Sequence, residues 1–345
     1  METGRKMAPE SPNINRYNWK VDCATLEQET LRFDISGYNP KEVSRYSLVI
    51  NGREVPFEPK CAGTQEVPFS PKMWMEPLNW TASCSFPANE VSDSENRLKL
   101  LCDDKSRHPI DIWYRLPPRW LIIPDERNIK RVSGRLANKV TYLNGGRTEY
   151  VRYKQLFEKY GAESKGNLLD WGVGCGRVAQ HFIKECDYKV TGIDIDRINI
   201  DWCKENIQML RSHLVDLLPP TDLPDREFDV VISSSVLSHL IPPHWEAWLS
   251  EISRVMKDGA MAFLSFHGDN SCSIILADRQ LEALLDAGYV DLNASPDLGK
   301  DLERYYRNTF YLDVFAEKIF EKYFTLIEVI PGFLSGQQSV AVLRK

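Results

Sequence analysis

The chain has 345 residues, of which 43% are hydrophobic and 11% aromatic, and it carries a formal net charge of −6. This composition is typical of a globular protein with a sizeable core and excludes a fibrous or largely disordered chain. The length fits two domains better than one. Because the charge is negative and the sequence has no long lysine or arginine run, we do not expect a nucleic-acid-binding protein.

Cysteine usage and the lack of apolar segments limit the cellular setting. The eight cysteines form no Cys-x-x-Cys pair and no His/Cys spacing typical of a metal site, so we expect buried free thiols, a reducing compartment and no bound metal. The N-terminus has no apolar signal core, and no apolar run reaches about 18 residues. We therefore expect a cytoplasmic protein without a membrane span.

The first third of the chain carries β-strand patterns. Residues 1–20 are polar and predict a flexible arm, whereas residues 21–116 contain several short alternating or β-branched runs. The strongest local signal is Asn51-Gly52, a two-residue hairpin turn. Strands at this spacing favour a β-sandwich accessory domain over residues 21–116, with substrate binding or homodimer formation as its role. Predicted strands occupy residues 31–35, 46–50, 53–57, 80–86, 98–102 and 111–114.

Residues 117–146 form a connector to a second domain at residues 147–345. Prolines at its start end the preceding strand, because proline cannot donate to a sheet ladder, and a helix is predicted over residues 148–160. Two interpretations of the connector stay open: a lid over a ligand site, or an ordinary linker. The basic residues between Arg115 and Lys139 likewise either face solvent or contact an anionic substrate.

The most informative motif lies in residues 167–177, Asn-Leu-Leu-Asp-Trp-Gly-Val-Gly-Cys-Gly-Arg. An apolar strand ends at Asp170, and three alternating glycines precede a helix. Glycine permits positive φ angles and close approach of a ligand to the backbone, and a helix start offers unpaired N–H groups. The motif therefore predicts a nucleoside-binding turn. Its spacing differs from the Gly-x-Gly-x-x-Gly of dinucleotide-binding proteins, because Arg177 stands where the third glycine would be.

The next predicted strand, residues 189–194, ends in a carboxylate. Asp194 follows Gly176 by 18 residues, the length of one strand–helix–strand unit. Its carboxylate can accept two hydrogen bonds from ribose hydroxyls. Alternatively, Asp194 or Asp196 caps the helix that begins near residue 197, and for Asp196 both roles are open. Further strands are predicted at residues 212–216, 227–233, 260–266, 324–330 and 338–343.

The run from Asp170 to Gly176 resembles the first motif of class I S-adenosylmethionine-dependent methyltransferases, Asp-x-Gly-x-Gly-x-Gly, and the later strands follow in that family's order. The resemblance covers residues 124–345 and points to the subgroup encoded with bacterial surface-glycan and secondary-metabolite enzymes. It implies an α/β protein: a Rossmann-like seven-stranded methyltransferase domain with an antiparallel last strand, in addition to the N-terminal β-sandwich. It also implies S-adenosyl-L-methionine as cofactor, bound by Asp170, Gly172, Gly174, Gly176, Asp194, Ile195, Asp216, Leu217, Ser233 and Ser234.

Two histidines are candidate general bases. His239 and His267 each follow a predicted strand, and the carboxyl ends of strands in open α/β sheets face the ligand crevice. A hydroxyl acceptor must lose its proton, which a positioned base can remove. Each histidine also has a structural alternative: His239 can pack on the helix near Pro242, and His267 can hydrogen-bond within a turn closed by Gly268.

The resemblance implies methyl transfer by in-line displacement. We expect a small-molecule or glycan acceptor, with O-, N- and S-methylation all open. The residues from Ser233, Ser-Ser-Ser-Val, replace the Asn/Asp-Pro-Pro-Tyr/Phe tetrad of amino-methylating DNA enzymes, and no carboxylate cluster suggests a divalent metal. The alternatives are a protein or RNA methyltransferase and a non-catalytic cofactor-binding scaffold.

Overall fold

The chain divides into two compact units in the computed structural model, Met1–Arg119 and Trp120–Lys345. Within the residues that the structure describes, no helix is long and apolar enough to cross a membrane. The described residues are 18–27, 30–39, 43–55, 60–61, 78–87, 96–104, 110–116, 120–134, 139–292 and 307–345.

The described part of the first unit consists of strands: β1 (Asn18–Glu27), β2 (Thr30–Asn39), β3 (Val43–Ile50), β4 (Arg53–Val55), β5 (Lys60–Cys61), β6 (Leu78–Pro87), β7 (Asn96–Asp104) and β8 (Ile110–Leu116). They form two antiparallel four-stranded sheets, ordered β1-β2-β6-β5 and β4-β3-β7-β8. Six of the strands were predicted, whereas β1 and β5 were not. These six predicted strands are confirmed, whereas the packing of the two sheets as a β-sandwich stays a prediction.

The predicted hairpin turn is present between β3 and β4. Asn51 and Gly52 have φ angles of 49° and 88°, both positive as a two-residue type I′ turn requires. The prediction of an arm over residues 1–20 is wrong at its end, because Asn18 begins β1. Residues 18–20 pair with β2 through the backbone, and their polar composition gave no sign of a strand. Residues 1–17 lie outside the described residues.

A seven-stranded sheet forms the centre of the second unit. The described strands of this unit are β9 (Lys165–Trp171), β10 (Asp187–Asp194), β11 (Arg211–Leu214), β12 (Phe228–Ser233), β13 (Met256–Phe266), β14 (Tyr289–Asp291), β15 (Thr309–Tyr311), β16 (Thr325–Leu334) and β17 (Gln338–Arg344). Seven of them form the central sheet. The order is β11-β10-β9-β12-β13-β17-β16, while β14 and β15 pair separately. Strands β9–β13 run parallel, and β17 is antiparallel to both neighbours. The predicted Rossmann-like methyltransferase topology is confirmed.

Helices cover both faces of this sheet because successive residues of a strand point to opposite sides. On β9, Leu168 packs in a cluster with Phe182, whereas its neighbour Leu169 packs in a second cluster with Trp248. The α-helices among the described residues are α1 (Glu126–Ser133), α2 (Lys139–Tyr160), α3 (Ala179–Glu185), α4 (Arg197–Asn206), α5 (Pro242–Val255), α6 (Asp269–Ile275), α7 (Asp278–Ala287) and α8 (Asp313–Phe320). The first cluster includes residues of α2, α3 and α4, and the second includes residues of α5 and α8.

Helix α2 begins nine residues before the predicted start at residue 148 and contains Gly145 and Gly146 in its interior. A Cβ at Gly145 would lie 2.4 Å from Nη1 of Arg177, and a Cβ at Gly146 would lie 2.6 Å from Cγ of Arg177. The glycines therefore make room for an arginine side chain against the helix instead of breaking it. The predicted connector contains α1 and the first turns of α2.

Candidate functional site

The glycine motif forms the turn between β9 and α3. Gly172, Gly174 and Gly176 have φ angles of 82°, 53° and 68°, in the left-handed region that favours glycine. The backbone N–H groups of Gly172 and Val173 both donate to the Ile193 carbonyl, at 2.8 and 3.1 Å, and so tie the turn to β10. The predicted tight turn with positive φ angles is confirmed.

The turn is also closely packed on two sides. A Cβ at Gly172 would lie 2.2 Å from Cγ2 of Val236, which follows β12. A Cβ at Gly174 would lie 2.9 Å from Cγ2 of Val132 on α1. Both valines line the cavity beside the turn. The glycines therefore set how closely these two walls approach the backbone.

Asp196 takes the capping role that the sequence left open, and the ribose-binding role of Asp194 stays a prediction. Both oxygens of the Asp194 carboxylate accept a backbone N–H, Oδ2 from Gly174 and Oδ1 from Asp196, each at 2.8 Å. Asp196 is the residue that caps α4, since its Oδ1 accepts the Ile198 N–H at 3.0 Å. Burial raises the pKa of Asp194 to about 6, against the effect of its backbone N–H donors, which include Ile195 as well as Asp196 and Gly174.

The cavity runs along the C-terminal ends of the parallel strands, and the residues that line it follow the order of the strands in the sheet. Residues 215 and 217 come after β11, residues 194–196 lie at the end of β10, residues 170–174 at the end of β9, and residues 234–236 after β12. The sequence-predicted residues in this lining are Asp170, Gly172, Gly174, Asp194, Ile195, Leu217, Ser234 and His239.

Four predicted residues do not appear in the lining that the described residues form: Gly176, Asp216, Ser233 and His267. Gly176 packs against Ile207, and a Cβ at this position would lie 2.7 Å from Cδ1 of Ile207. The Ser233 side chain is buried at the end of β12. Asp216 stands between two lining residues in the sequence. The assignment of Gly176, Asp216 and Ser233 to cofactor binding and that of His267 as general base stay predictions.

Two residues of α1, Arg131 and Val132, also line the cavity. Arg131 belongs to the basic residues for which solvent and an anionic substrate were both open, whereas Val132 was missed. The Arg131 Nε donates to Oδ2 of Asp196 at 2.6 Å, and the Asn128 Nδ2 donates to Oδ1 of Asn199 at 3.2 Å. These contacts hold α1 against α4 beside the glycine turn. The Asp125 N-cap was a readable helix signal, but nothing local in the sequence shows where this helix packs.

The end of the cavity near β11 is mainly apolar. Val215, Leu217 and Trp248 contribute to it, and the Trp248 indole N–H donates to the Leu217 carbonyl at 2.8 Å. This hydrogen bond fixes the indole of α5 against the loop after β11. Trp248 was also missed, because a tryptophan in an amphipathic helix has the same pattern whether it packs in the core or lines a cavity.

His239 lies in a short 3₁₀ turn, Leu237–His239, and lines the cavity beyond β12. Its Nδ1 donates to the Arg307 carbonyl at 2.6 Å, so Nε2 carries the basic lone pair in the neutral ring. The turn is held by Thr309, whose hydroxyl lies 3.0 Å from the carbonyls of both Ser238 and Leu240. Burial lowers the pKa of His239 to about 4, which keeps the ring neutral near pH 7.

His267 has a different environment at the end of β13. Its Nδ1 donates to the Thr309 carbonyl at 3.1 Å, and its Nε2 accepts a hydrogen bond from Nε2 of Gln338 at 3.2 Å. The same Gln338 amide also donates to the Ser235 hydroxyl at 2.8 Å. The His267 ring stacks on Phe310 with centroids 4.6 Å apart. Both ring nitrogens are thus engaged with protein atoms, and burial lowers the pKa of His267 to about 4.

Two buried acidic residues, Glu149 and Asp170, lie near Arg177 where β9 meets the turn. The Arg177 Nη2 donates to Oε1 of Glu149 at 2.6 Å. Burial raises the pKa of Asp170 to about 7; the nearby Glu149 carboxylate adds to this effect, and the Arg177 guanidinium opposes it. Asp170 and Arg177 line the cavity.

Metal ligands and disulfides do not enter the described part of the site. No group of three or more His, Cys, Asp or Glu side chains there could hold a metal ion. Four cysteines fall within the described side chains, and all four are free: Cys175, Cys186, Cys203 and Cys272.

Comparison with known proteins links the turn and its flanking strands to one family. Residues 168–259 match the family described as a methyltransferase domain. Among solved structures, a methyltransferase of Methanosarcina mazei has a TM-score of 0.45 and 17% identity, covering 55% of this chain and 96% of that chain. The 1,6-didemethyltoxoflavin-N1-methyltransferase of Burkholderia thailandensis has a TM-score of 0.42 and 14% identity, covering 72% of this chain and 95% of that chain.

Curated relatives share a smaller part of their length. The tRNA N(3)-cytidine methyltransferase METTL2 of Gallus gallus is 26% identical over 128 residues, 34% of this chain and 35% of that protein. METTL2 of Bos taurus is 21% identical over 193 residues, 52% of this chain and 51% of that protein. The chain thus spans about half, or less, of the length of these relatives.

The strand order and the glycine turn define an α/β domain of the Rossmann-like, nucleoside-binding class. The family match indicates that a domain of this class transfers methyl groups. The second unit is a class I S-adenosylmethionine-dependent methyltransferase domain, and S-adenosyl-L-methionine is its cofactor. The resemblance to the surface-glycan and secondary-metabolite subgroup stays a prediction.

Substitution of Gly172 tests whether the close approach at the turn shapes the cofactor site. We expect Gly172→Ala to lower affinity for S-adenosylhomocysteine by about tenfold or more, because the new Cβ would collide with Val236 beside the cavity. Isothermal titration calorimetry measures the change.

Gly259→Ala is the matched control. Gly259 has a φ of 80°, close to the 82° of Gly172, but a Cβ there would meet no atom within 4 Å. The left-handed φ strains alanine at both positions, so the contact with Val236 distinguishes the two variants and only Gly172→Ala should lose affinity. An equal loss in both variants would show that strain, and not the approach of Val236, is responsible.

Proposed function

We propose that this chain transfers a methyl group from S-adenosyl-L-methionine to a hydroxyl group of a small molecule or a glycan. The observation that carries the proposal is the position of His239, a neutral histidine that lines the same cavity as the glycine turn. A base at this position is useful to an acceptor that must lose a proton during attack. A hydroxyl group is such an acceptor.

The cavity lining supports a division of the cofactor along the strand order. The apolar wall with Leu217 and Trp248 fits an adenine ring, and the Asp194 carboxylate fits the ribose hydroxyls. The sulfonium end would then lie toward β9 and β12, near Ser234 and His239. When bound, the cofactor supplies an already activated methyl group.

The chain's own task is to position the acceptor and to remove its proton. The Arg307 carbonyl holds the His239 ring through Nδ1, and Thr309 holds the turn that carries it. In this proposal Nε2 of His239, which is buried, accepts the proton of the acceptor hydroxyl while these contacts hold the ring and its turn in place. A fixed orientation of this kind is the main source of rate in a transfer between two bound groups.

Methylation of tRNA is the second candidate, and the similarity to METTL2 favours it. The net charge of −6 argues against it, since phosphate contacts need clustered basic residues. The chemistry also distinguishes the two candidates. The N3 atom of cytidine carries a lone pair and no proton, so attack from N3 needs no base, whereas a hydroxyl acceptor gains from one.

Transfer of labelled methyl groups tests the proposed acceptor class. The full chain is incubated with methyl-tritiated S-adenosylmethionine and, separately, with small-molecule and glycan fractions, with RNA and with proteins. We expect the label in a small molecule or glycan, bound through a former hydroxyl oxygen and therefore as a methyl ether by mass spectrometry. Label in RNA would support the METTL2-like alternative, and cofactor binding without any transfer would support a scaffold.

Replacement of His239 tests its role as base. We expect His239→Gln to lower kcat by about 10²–10⁴-fold with little change in cofactor affinity, because glutamine cannot accept the acceptor proton. The pKa of about 4 keeps His239 neutral, so its protonation should not reduce the wild-type rate between about pH 6 and about pH 8. His244→Gln, in the first turn of α5, is the matched control and should leave kcat unchanged. An unchanged kcat in His239→Gln would contradict the assignment.

A further inference from the structure

We propose that Ser234 and Ser235, here called the serine pair, present hydrogen-bond acceptors and no donors to the cavity, and so select a methyl acceptor that carries two N–H or O–H hydrogens. Tyr153 and Gln338 set this polarity from inside the protein. The role rests on the proposed function for one point, the position of the transferred methyl group near the end of β12. It narrows the acceptor to a molecule with a primary amine or with two neighbouring hydroxyl groups.

The serine pair lies directly after β12, and both residues line the cavity. Ser235 has a φ angle of 65°, in the left-handed region that serine seldom adopts. Such a conformation persists where the surroundings hold it, and residues of this kind cluster at functional sites. Here the Ser235 backbone N–H donates to Oγ of the buried Ser265 on β13, at 2.7 Å. The strained serine is therefore held in place at the cavity wall.

The Ser234 hydroxyl directs its proton into the protein. The Tyr153 hydroxyl of α2 lies 3.1 Å from the Ser233 carbonyl oxygen and 3.0 Å from Oγ of Ser234. Because a carbonyl cannot donate, the single phenolic proton goes to Ser233, and Ser234 donates to Tyr153. Burial raises the pKa of Tyr153, so the phenol keeps its proton near pH 7. Oγ of Ser234 then offers lone pairs and no proton to a ligand.

The Ser235 hydroxyl has the same polarity for a similar reason. Oγ of Ser238 donates its one proton to the Ser235 carbonyl at 2.8 Å. The 3.0 Å hydrogen bond between the two hydroxyl groups therefore takes its proton from Ser235. Nε2 of Gln338 also donates to Oγ of Ser235, at 2.8 Å. Of the two lone pairs on this oxygen, one accepts the Gln338 bond and the other is left for a ligand, within the described part of the chain.

His267 fixes the orientation of the Gln338 amide. Burial lowers the pKa of His267 to about 4, and its Nδ1 donates to the Thr309 carbonyl at 3.1 Å, so Nε2 of the neutral ring carries a lone pair. The Gln338 atom 3.2 Å from this lone pair must be the amide nitrogen. The amide oxygen then accepts from Oγ of Ser265 at 2.9 Å. In this role His267 orients Gln338 and removes no proton from a substrate.

Two hydroxyl groups with inward protons favour a ligand group rich in polar hydrogens. A primary amine, or two neighbouring hydroxyl groups, can donate to both serines, and a charged donor forms the stronger bonds. An ether or thioether has no hydrogen to donate and would leave both serine oxygens unpaired. Sites built around such hydrogen bonds reject ligands that lack the matching group.

A pair of ligands tests the polarity before the acceptor is identified. Sinefungin carries an amino group, charged near pH 7, on the carbon that replaces the sulfur and methyl group of S-adenosylmethionine, whereas S-adenosylhomocysteine has a thioether there. By isothermal titration calorimetry, we expect the full wild-type chain to bind sinefungin about tenfold or more tightly than S-adenosylhomocysteine. Equal affinities, or tighter binding of S-adenosylhomocysteine, would overturn the proposal, whether or not any variant folds.

Variants then assign the preference to the serine pair. Ser234→Ala and Ser235→Ala should each reduce the preference for sinefungin by about fivefold or more, with affinity for S-adenosylhomocysteine changed by less than about threefold, because an acceptor oxygen is lost. Ser335→Ala is the matched control, since Ser335 has a φ of 52° but lies in the turn between β16 and β17 and not in the cavity lining. A full preference in both cavity variants would contradict the assignment.

Two further variants test the positioning residues. Tyr153→Phe frees the Ser234 proton, and Gln338→Leu removes the donor that keeps the Ser235 proton directed at Ser238. Each should lower the preference for sinefungin by about threefold, whereas a merely structural role would weaken both ligands alike. Nitrogen NMR of the wild-type imidazole rings should place the His267 proton on Nδ1, and the Nε2 resonance should move in Gln338→Leu. A neutral His267 protonated on Nε2 would contradict the orientation of Gln338.

The labelled transfer assay distinguishes the two sources of the donor group. Periodate cleaves neighbouring hydroxyl groups, and acetylation in water blocks primary amines. We expect the fraction that accepts the methyl label to lose this activity after one of the two treatments. Transfer that survives both treatments would contradict the acceptor class. If no untreated fraction accepts label, the proposed function fails, and the comparison of sinefungin with S-adenosylhomocysteine still decides the polarity of the serine pair.

Discussion

The Asp194 carboxylate joins the glycine turn to the next strand, and the geometry of the site depends on this junction. It accepts the backbone N–H groups of Gly174 and Asp196, both at 2.8 Å. Without the carboxylate, two backbone donors at the base of the site would lose their partner. The position of this carboxylate fixes the path of the glycine turn. The turn then sets how closely Val132 and Val236 approach its backbone.

The electrostatics of the cavity change along the sheet edge. Carboxyl groups with raised pKa values lie at the ends of β9 and β10, whereas a neutral histidine lies beyond β12. The carboxyl side suits a cationic ligand group, and the histidine side suits a group that loses a proton. Burying Asp170 has a cost: its pKa is higher in the folded state than in the unfolded chain, so the ligand-free fold loses stability as pH rises toward about 7.

The sequence was sufficient for the parts of the site that are local along the chain. The turn, its positive φ angles and the carboxylate at residue 194 follow from glycine spacing and strand length, because these depend on a few neighbouring residues. The place of α1 beside the turn could not be decided from the sequence, which left the connector open as lid or linker, since the contact between Arg131 and Asp196 joins residues 65 positions apart. Gly145 and Gly146 were interpreted as part of a connector, because the arginine that explains them lies on another element.

The two histidines show the same limit. Both follow strand ends, and the sequence pattern is alike for both; only the distant Gln338 and the segment at residues 307–309 distinguish them. The central claim, that the glycine turn binds the nucleoside of the cofactor, is tested most directly by a crystal structure of the full chain with S-adenosylhomocysteine. The account predicts the ribose hydroxyls within hydrogen-bond distance of Asp194 and the adenine against Leu217 and Trp248. A nucleoside bound outside this cavity, or a ribose held by a different carboxylate, would contradict it.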